Sequence, residues 1–328
     1  VQQELLGEAW GLRPSDVLLH TLPLHHMHGL CISLLSCLGA GATVRMLPGF
    51  DASRVWDEMA TSSVFMAVPT VYKKLFDAFD AADADARARW MQNARGLRLA
   101  TSGSAALPVT LAERWRSIAG TIPLERFGMT EVGVGLSNPL DGERRAGTVG
   151  LPLRTVETRI VSGETNVDAE SGELWIRGPS VFSGYFRRDE ATSKAFRDGW
   201  FLTGDTVTRD ERGYFRILGR TSVDILKSGG YKLSALEIEE ALRDHPAVGE
   251  VAVVGVPDET WGDRVVACVV RRAGHDLTAE ALRAFAKEKL ASYKCPKDVV
   301  FLDELPRNAM GKVQKRELVG LVGAAEKG

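Results

Sequence analysis

The chain has 328 residues, 45% of them hydrophobic and 26% charged, which is typical of a globular protein with one large or two modest domains. Because its 41 basic and 43 acidic residues are interspersed, with no stripe of lysine and arginine, the composition argues against nucleic-acid binding. The four cysteines lack metal-site spacing and predict reduced thiols. No apolar run reaches the roughly 20 residues of a membrane-spanning helix.

The chain opens at Val1 rather than at a methionine, in the helical stretch VQQELLGEAWGL. We expect an upstream portion to be missing, so the lack of a targeting signal carries little weight. The reduced cysteines favour a cytoplasmic location, with the mitochondrial matrix as the alternative. A monomer and a dimer are both compatible with the composition.

Residues 1–160 alternate short apolar runs with amphipathic segments. In chain order, the predicted elements are strand 43–47, helix 53–60, strand 63–68, helix 70–79, strand 96–103 and helix 108–120. This alternation indicates β-α-β units on a parallel sheet, whose ligands bind where the carboxyl ends of strands lead into helices.

Short strands separated by Gly and Pro turns follow at 155–220 and predict a small β appendage, antiparallel or barrel-like. Beyond it, Ser234 and Glu237 have the spacing of a capping box and predict a helix start. Residues 221–328 are expected to form their own β-α-β-β-α unit. We therefore predict an α/β fold of two domains, 1–220 and 221–328.

The motif ERFGMTE (125–131) follows the short apolar run TIPL and is expected at the carboxyl end of a strand. Phe127 offers a ring that can stack on a base, Thr130 a hydroxyl for a phosphate, and Glu131 an oxygen ligand of the kind that Mg²⁺ favours. A nucleotide cradle is one reading. An ordinary turn with a helix-opening Thr-Glu pair is the other.

Three further stretches have both a functional and a structural interpretation. TSGSAALP (101–108) puts small residues between a strand and a helix, where backbone N–H groups can bind an anion or where the connection is simply tight. Asp205 could hold a ribose diol or form a plain turn, and Arg220 could contact ribose or phosphate or lie on the surface. HHMHG (25–29) lacks a carboxylate or cysteine partner, so we expect a half-buried strand end or a histidine at a pocket rather than a metal site.

LPRNAMGKVQKREL (305–318) places Lys312 directly after a glycine in a loop and before a basic run. Glycine permits unusual backbone angles, and lysine is a compact charge on a long side chain. The stretch fits a mobile loop that delivers one positive charge to an anion. Taken by itself, the stretch fits a solvated basic turn better than a functional loop.

In this order, the chain contains the motifs PLHHMHGL, SGSAALP, ERFGMTE, GELWIRGP, WFLTGD, GRTSVDILKSGGYK and LPRNAMGK. Together they resemble the adenylate-forming acyl-CoA synthetases over essentially the whole chain. The resemblance implies a large N-terminal domain, a smaller mobile C-terminal domain, and a two-step ligase reaction. A carboxylate first attacks the α-phosphate of ATP, with Mg²⁺, to give an acyl-adenylate and pyrophosphate. The thiol of coenzyme A then displaces AMP.

The resemblance also implies roles for individual residues. Phe127 would stack on adenine, Thr130 would contact the α-phosphate, Glu131 would hold Mg²⁺, and Asp205 and Arg220 would contact ribose. The full set implied for ATP or AMP is Ser104, Ala105, Glu125, Arg126, Phe127, Gly128, Met129, Thr130, Asp205, Arg220 and Lys312. Thr130, Glu131 and Lys312 would be the catalytic residues.

Lys312 would bridge the acyl carboxylate and the phosphate during adenylation, and a hinge at Ser222 to Asp224 would then withdraw it. The implied coenzyme A contacts are Lys227, Ser228, Gly229, Gly230 and Tyr231. The implied acyl pocket contains His26, His28, Lys74, Ser104 and Met129.

Within the family, the motifs most resemble the malonyl- and methylmalonyl-CoA synthetases. A dicarboxylate leaves a second charge in the acyl pocket, which is costly unless a cation meets it. In bacterial members an arginine on the VPT-x-Y helix meets it, and here Lys74 matches that arginine, with Ser104 as a second donor. A solvated helix lysine is the alternative for Lys74.

One departure is the absence of the family's Ser/Thr/Gly-rich phosphate loop, which would lie before Val1. Two alternatives to a dicarboxylate ligase stay open, and the missing loop bears on the second. One is a synthetase for short- or medium-chain monocarboxylates. The other is an inactive nucleotide-binding fragment.

Overall fold

The computed structural model describes residues 1–163, 167–307 and 312–325. The chain separates into two compact units, one of Val1–Thr203 with Thr208–Ile217 and one of Gly204–Val207 with Leu218–Gly328. Among the described residues, no helix is both long and apolar enough to cross a membrane.

The first sheet is built from β-α-β units. Its strands are β1 (Val17–His20), β2 (Thr43–Met46), β3 (Val64–Ala67), β4 (Leu99–Ser102), β5 (Leu124–Met129), β6 (Gly133–Ser137) and β7 (Leu151–Pro152). The helices around it are α1 (Gln2–Ala9), α2 (Ser36–Gly39), α3 (Ala52–Glu58), α4 (Pro69–Ala81), α5 (Ala84–Arg95) and α6 (Val109–Ala119). A π-helix (His28–Leu35) precedes α2, and a 3-10 turn (Met59–Thr61) follows α3.

The strand order is β2-β1-β3-β4-β5-β6-β7. The first five strands are parallel, as predicted, but β6 and β7 pair antiparallel, so the sheet is mixed. All six elements predicted between residues 43 and 120 are present, whereas α5 was not predicted. In the hydrophobic core of this unit, the ring of Trp56 stacks between the rings of Trp90 and Trp115. The distances between ring centroids are 5.9 Å to Trp90 and 5.7 Å to Trp115.

Two local predictions are wrong. The strand was expected to end before ERFGMTE, but β5 runs through Met129 because its backbone pairs with β4 on one side and β6 on the other. Of the two expectations for HHMHG, the strand end is wrong, because β1 ends at His20 and the π-helix begins at His28.

The predicted β appendage is a second sheet of five strands, antiparallel where β8 meets β9 and where β10 meets β11. Its strands are β8 (Glu157–Val161), β9 (Ser171–Arg177), β10 (Phe196–Arg197), β11 (Trp200–Arg209) and β12 (Phe215–Arg220), with α7 (Asp189–Ala195) before β10. The order is β10-β11-β9-β8, and β12 pairs with β11.

The C-terminal unit has more elements than the five predicted. They are β13 (Ile225–Ser228), β14 (Tyr231–Ser234), α8 (Ala235–Arg243), β15 (Val248–Asp258), β16 (Gly262–Arg271), α9 (Ala279–Lys289), β17 (Asp298–Phe301) and α10 (Lys315–Ala325). The predicted cap of α8 is present, since Oγ of Ser234 accepts a hydrogen bond from the backbone N of Glu237 at 3.1 Å.

Candidate active site

The ERFGM part of the motif lies on β5, and Thr130 and Glu131 form the turn into β6. The pairing register shifts between Phe127 and Gly128. A Cβ atom at Gly128 would lie 2.2 Å from the carbonyl oxygen of Gly133, so only glycine allows the two strands to approach this closely. The ring of Phe127 is half-buried and Thr130 is exposed, so both are accessible to a ligand.

Arg126 is a buried cation of this region. It lies on β5, and its guanidinium packs over Gly103 in the loop between β4 and α6, where a Cβ atom would lie 2.4 Å from Cζ of Arg126. Burial lowers the pKa of Arg126 to about 10, which leaves it charged at neutral pH. Within the described part of the chain, its Nε and Nη2 atoms have no hydrogen-bond partner. Since an unpaired buried charge is costly, this group is suited to receive an anion.

His28 and Ser104 adjoin this guanidinium. Nδ1 of His28 and Oγ of Ser104 lie 3.1 Å apart. Burial, followed by the charges of Arg126 and His20, holds the pKa of His28 well below its usual range, so the ring is neutral at pH 7. Ser104 has φ of 69°, a left-handed conformation that non-glycine residues rarely adopt and that is often found at functional sites.

The side chain of Glu125 binds the loop between β4 and α6. Its Oε1 accepts a hydrogen bond from the backbone N of Leu107 at 2.8 Å, and its carbonyl oxygen accepts bonds from N and Nδ2 of Asn138, both at 3.0 Å. Glu125 therefore ties the SGSAALP loop to β5. Ala105 lies in that loop and is exposed.

The other residues predicted for the acyl pocket are Lys74, His26 and Met129, and all three are more exposed than His28. Lys74 is exposed on α4, and its Nζ lies 5.5 Å from the ring centroid of Phe50. His26 is half-buried, with its ring 4.2 Å from that of His25. Met129 is half-buried at the end of β5.

The carboxylate of Glu131 is held by a residue that the sequence did not single out. Oη of Tyr185 donates a hydrogen bond to Oε1 of Glu131 at 2.9 Å. In the described residues, no cluster of three or more His, Cys, Asp or Glu side chains could form a metal cage. A lone carboxylate fits Mg²⁺, which commonly binds one or two protein carboxylates together with phosphate oxygens and water.

In the C-terminal unit, Asp205 and Arg220 form an ion pair, with 3.2 Å between Oδ1 and Nε. The Asp205 side chain is 8% exposed and that of Arg220 is 49% exposed. The backbone N of Arg220 also donates to Oδ2 of Asp224 at 2.9 Å. The two residues predicted for ribose are thus adjacent to each other and to the predicted hinge, where Ser222 is exposed.

Asp224 is itself part of a buried charge cluster. Nζ of Lys315 lies 2.5 Å from Oδ1 of Asp224 and 2.7 Å from Oε1 of Glu239. Burial alone lowers the pKa of Lys315, but the charges of Glu239 and Asp224 and their hydrogen bonds outweigh burial, so its pKa is raised. The ammonium therefore stays charged and ties the predicted hinge to the first turn of α10.

The segment predicted for coenzyme A is the hairpin between β13 and β14. Gly229 and Gly230 have φ of 58° and 82°, and the N of Gly229 donates to the carbonyl oxygen of Trp261 at 2.9 Å. The ring of Tyr231 stacks on Tyr293 at 4.5 Å. Next to the hairpin, Nζ of Lys297 lies 4.0 Å from the ring centroid of Trp261. Exposed aromatic rings beside cations suit a nucleotide.

Lys312 is exposed and lies three residues before α10. Part of its predicted loop, residues 308–311, lies outside the described residues. Arg307 and Val313 on either side of that part form an isolated antiparallel bridge.

Sequence reasoning did not find the roles of Gly103, Tyr185 and Lys315. Gly103 and Lys315 lie inside stretches that were singled out, but their contacts depend on residues far away in the chain. Tyr185 carried no signal, because a tyrosine in a Gly-rich loop predicts nothing about a carboxylate 54 positions away.

Comparison with known proteins relates the chain to ligases. It is 46% identical to the mitochondrial malonate–CoA ligase ACSF3 of Bos taurus, over 98% of this chain and 60% of the relative. It is 44% identical to the malonate–CoA ligase of Arabidopsis thaliana, over 97% of this chain and 56% of the relative. The chain thus spans about 60% of the length of the curated relatives it matches.

Two solved structures have folds similar to that of this chain. MatB from Rhodopseudomonas palustris with ATP bound gives a TM-score of 0.90 at 39% identity, covering 97% of this chain and 62% of MatB. A malonyl-CoA ligase in a ternary product complex with methylmalonyl-CoA and AMP gives 0.62 at 40% identity, covering 93% of this chain and 66% of that one.

Two family profiles match the chain. Residues 1–186 match the AMP-binding enzyme family, and residues 237–312 match the AMP-binding enzyme C-terminal domain. The resemblance inferred from the ordered motifs is thereby confirmed. Since the first match covers more than half of its residues, the chain belongs to the AMP-binding enzyme family.

Proposed function

We propose that the protein is an ATP-dependent, AMP-forming acyl-CoA ligase that acts on malonate or methylmalonate. The carboxylate of the substrate attacks the α-phosphate of ATP and releases pyrophosphate, and the thiol of coenzyme A then attacks the acyl carbon and releases AMP. The names of the relatives support this activity, since they include malonate–CoA ligases from animals and a plant.

The observation that carries the dicarboxylate assignment is the buried guanidinium of Arg126. Two of its nitrogen atoms lack partners among the described residues, and His28 and Ser104 adjoin it. A monocarboxylate with an apolar tail would leave this charge unmet, whereas the second carboxylate of malonate would pair with it. Arg126 is a stronger candidate for this role than Lys74, because Lys74 is exposed and can be satisfied by water.

In the adenylation step, Phe127 stacks on adenine and Thr130 binds the α-phosphate. Asp205 and Arg220 bind the ribose. Glu131 holds Mg²⁺, which would neutralise negative charge on the phosphates. Supporting this assignment, Phe127 and Thr130 are accessible, and the ends of β5 and of β4 are neighbouring strand ends of the kind at which such sheets bind ligands.

Lys312 supplies the positive charge that stabilises the transition state of adenylation at phosphorus. Electrostatic stabilisation of this kind is typically worth about 3–4 kcal/mol per group. Rotation at Ser222 to Asp224 then withdraws the lysine, and the hairpin of Lys227–Tyr231 contacts coenzyme A. Supporting a defined turn at this position, the carboxylate of Asp224 accepts a hydrogen bond from the backbone N of Arg220, and its carbonyl oxygen accepts one from the backbone N of Ala235 at the start of α8.

The location is proposed to be the cytoplasm or the mitochondrial matrix, and the word mitochondrial in the names of the animal relatives supports the second. Fractionation of cells that express the complete protein distinguishes the two. Light scattering on the purified protein distinguishes a monomer from a dimer.

The decisive experiment is a substrate panel on the complete protein, measured as AMP release with coenzyme A present. Malonate and methylmalonate are compared with acetate, butyrate and octanoate. Turnover restricted to the dicarboxylates supports the proposal, and preference for octanoate or butyrate would identify a monocarboxylate synthetase instead. ATP–pyrophosphate exchange on residues 1–328, with the same acids, tests whether this chain is active by itself.

A further inference from the structure

Glu131 is held at two points by the loop between β9 and α7. Oη of Tyr185 donates to its Oε1 at 2.9 Å, and the backbone N of Phe182 donates to its carbonyl oxygen at 2.8 Å. The side chain and the main chain of one residue are therefore both bound by the same short loop. The orientation of the carboxylate depends on that loop as well as on its own turn.

The loop is anchored in turn by packing. The ring of Phe182 lies 5.5 Å from Phe196 and 5.4 Å from Phe201, and it meets the ring of Tyr185 edge-on at 4.8 Å. The backbone N of Tyr185 donates to Oγ1 of Thr192 on α7 at 2.9 Å. Tyr185 is thus contacted at its ring and at its backbone N, as well as at the hydroxyl that binds the carboxylate.

The backbone of this loop is also constrained. A Cβ atom at Gly184 would lie 2.7 Å from Cγ2 of Thr192, so the loop approaches α7 as closely as glycine allows. Arg187 has φ of 54°, in the left-handed region. A strained conformation persists only where its surroundings over-determine it, which indicates a rigid loop.

From this geometry we propose that Tyr185 is a positioning residue that orients Glu131 to bind the metal ion accompanying the nucleotide. The inference rests on the proposed function, in which Glu131 holds Mg²⁺. When a metal has a single protein carboxylate as ligand, its affinity depends strongly on how well that carboxylate is oriented. The bond from Tyr185 is made to Oε1, one of the two carboxylate oxygens of Glu131.

The test is Tyr185→Phe in the complete protein, which removes one hydroxyl and keeps the ring packing on Phe182. Binding of Mn²⁺ in the presence of α,β-methylene-ATP is measured by electron paramagnetic resonance. Loss of an outer partner of a metal ligand typically weakens metal binding by about 10-fold or more, and we expect the dissociation constant of Mn²⁺ to rise by roughly that factor. In turnover, the Mg²⁺ concentration for half-maximal rate rises similarly, while the rate at saturating Mg²⁺ stays close to that of the wild type.

Tyr214→Phe is the matched control, because the hydroxyl of Tyr214 donates to the carbonyl oxygen of Glu143 at 2.7 Å, away from Glu131 in the chain. It should leave Mn²⁺ binding unchanged. Wild-type affinity for Mn²⁺ in Tyr185→Phe would overturn the inference and leave the proposed function standing. If the wild-type protein itself binds no Mn²⁺ with the analogue, the proposed role of Glu131 fails, and the inference fails with it.

Discussion

The ammonium group of Lys315 lies 2.5 Å from a carboxylate oxygen of Asp224, and both side chains are nearly buried, at 11% and 13% exposure. Lys315 follows the proposed catalytic Lys312 by three positions and begins α10, while Asp224 ends the turn proposed as the hinge. Glu239 of α8 completes the cluster. One buried ion pair therefore links the proposed hinge to the segment that carries the proposed catalytic lysine.

Replacing Lys315 with methionine is expected to lower the free energy of unfolding of the C-terminal unit by about 3–5 kcal/mol. The change removes the cation that Asp224 and Glu239 share and leaves Glu239 with the more distant Arg243, at 3.8 Å. Urea denaturation followed by circular dichroism measures the change. Lys315→Arg keeps the charge and should lose less. Equal losses for both variants would mean that the fit of the ammonium, rather than its charge, matters.

The protein is expected to lose stability as the pH falls below about 6.5, in part because of His28. The pKa of His28 is lowered in the folded state, so below the ordinary histidine value of about 6.5 the unfolded chain binds a proton that the folded chain does not. Stability that is present above that pH is lost as the pH falls through it. Between pH 7 and pH 5, His28→Asn should therefore lose less unfolding free energy than the wild type. Parallel pH curves for the two proteins would contradict the assignment.

Arg126→Met is expected to lower activity without lowering stability. Since Nε and Nη2 of this buried guanidinium have no hydrogen-bond partner among the described residues, the melting temperature is expected to stay level or rise. Turnover of malonate should fall on the order of 100-fold in kcat/KM, since losing one partner of a buried charge pair commonly costs about 2–5 kcal/mol.

The comparison variant for this prediction is Lys74→Met, measured with malonate and butyrate. A small effect is expected, because Lys74 is exposed. If malonate turnover depends on Lys74 and not on Arg126, the exposed lysine is the counter-charge and the sequence-based assignment is correct.

Lys312→Ala should abolish adenylation but spare the second step. Pyrophosphate exchange with malonate is expected to fall by on the order of 100- to 1,000-fold, the effect of removing one preformed stabilising group. Release of AMP from preformed malonyl-adenylate and coenzyme A should stay within a few-fold of the wild type. Arg316→Ala, which removes a nearby exposed cation, serves as the control. Equal losses in both half-reactions would argue against a role confined to the first step.

Much of this architecture follows from local pattern. Parallel strands and their helices between residues 43 and 120 were predictable because hydrophobic periodicity and turn residues are properties of neighbouring positions. The same holds for the cap at Ser234. The path of β5 through ERFGM was not predictable, because it depends on pairing with β6, which is formed by residues that follow the motif.

For the site, the chain by itself determined which side chains are present and in what order, and the ordered motifs were enough to identify the family. Only the tertiary structure decided that the guanidinium of Arg126 lies over Gly103, that Tyr185 reaches Glu131, and that Lys315 is buried against Asp224. Burial and the pairing of charges depend on which distant segments pack together. A linear pattern records chemical character but not that proximity, so the sequence could offer Lys74 as the partner of the second carboxylate, whereas the burial of Arg126 is visible only in the structure.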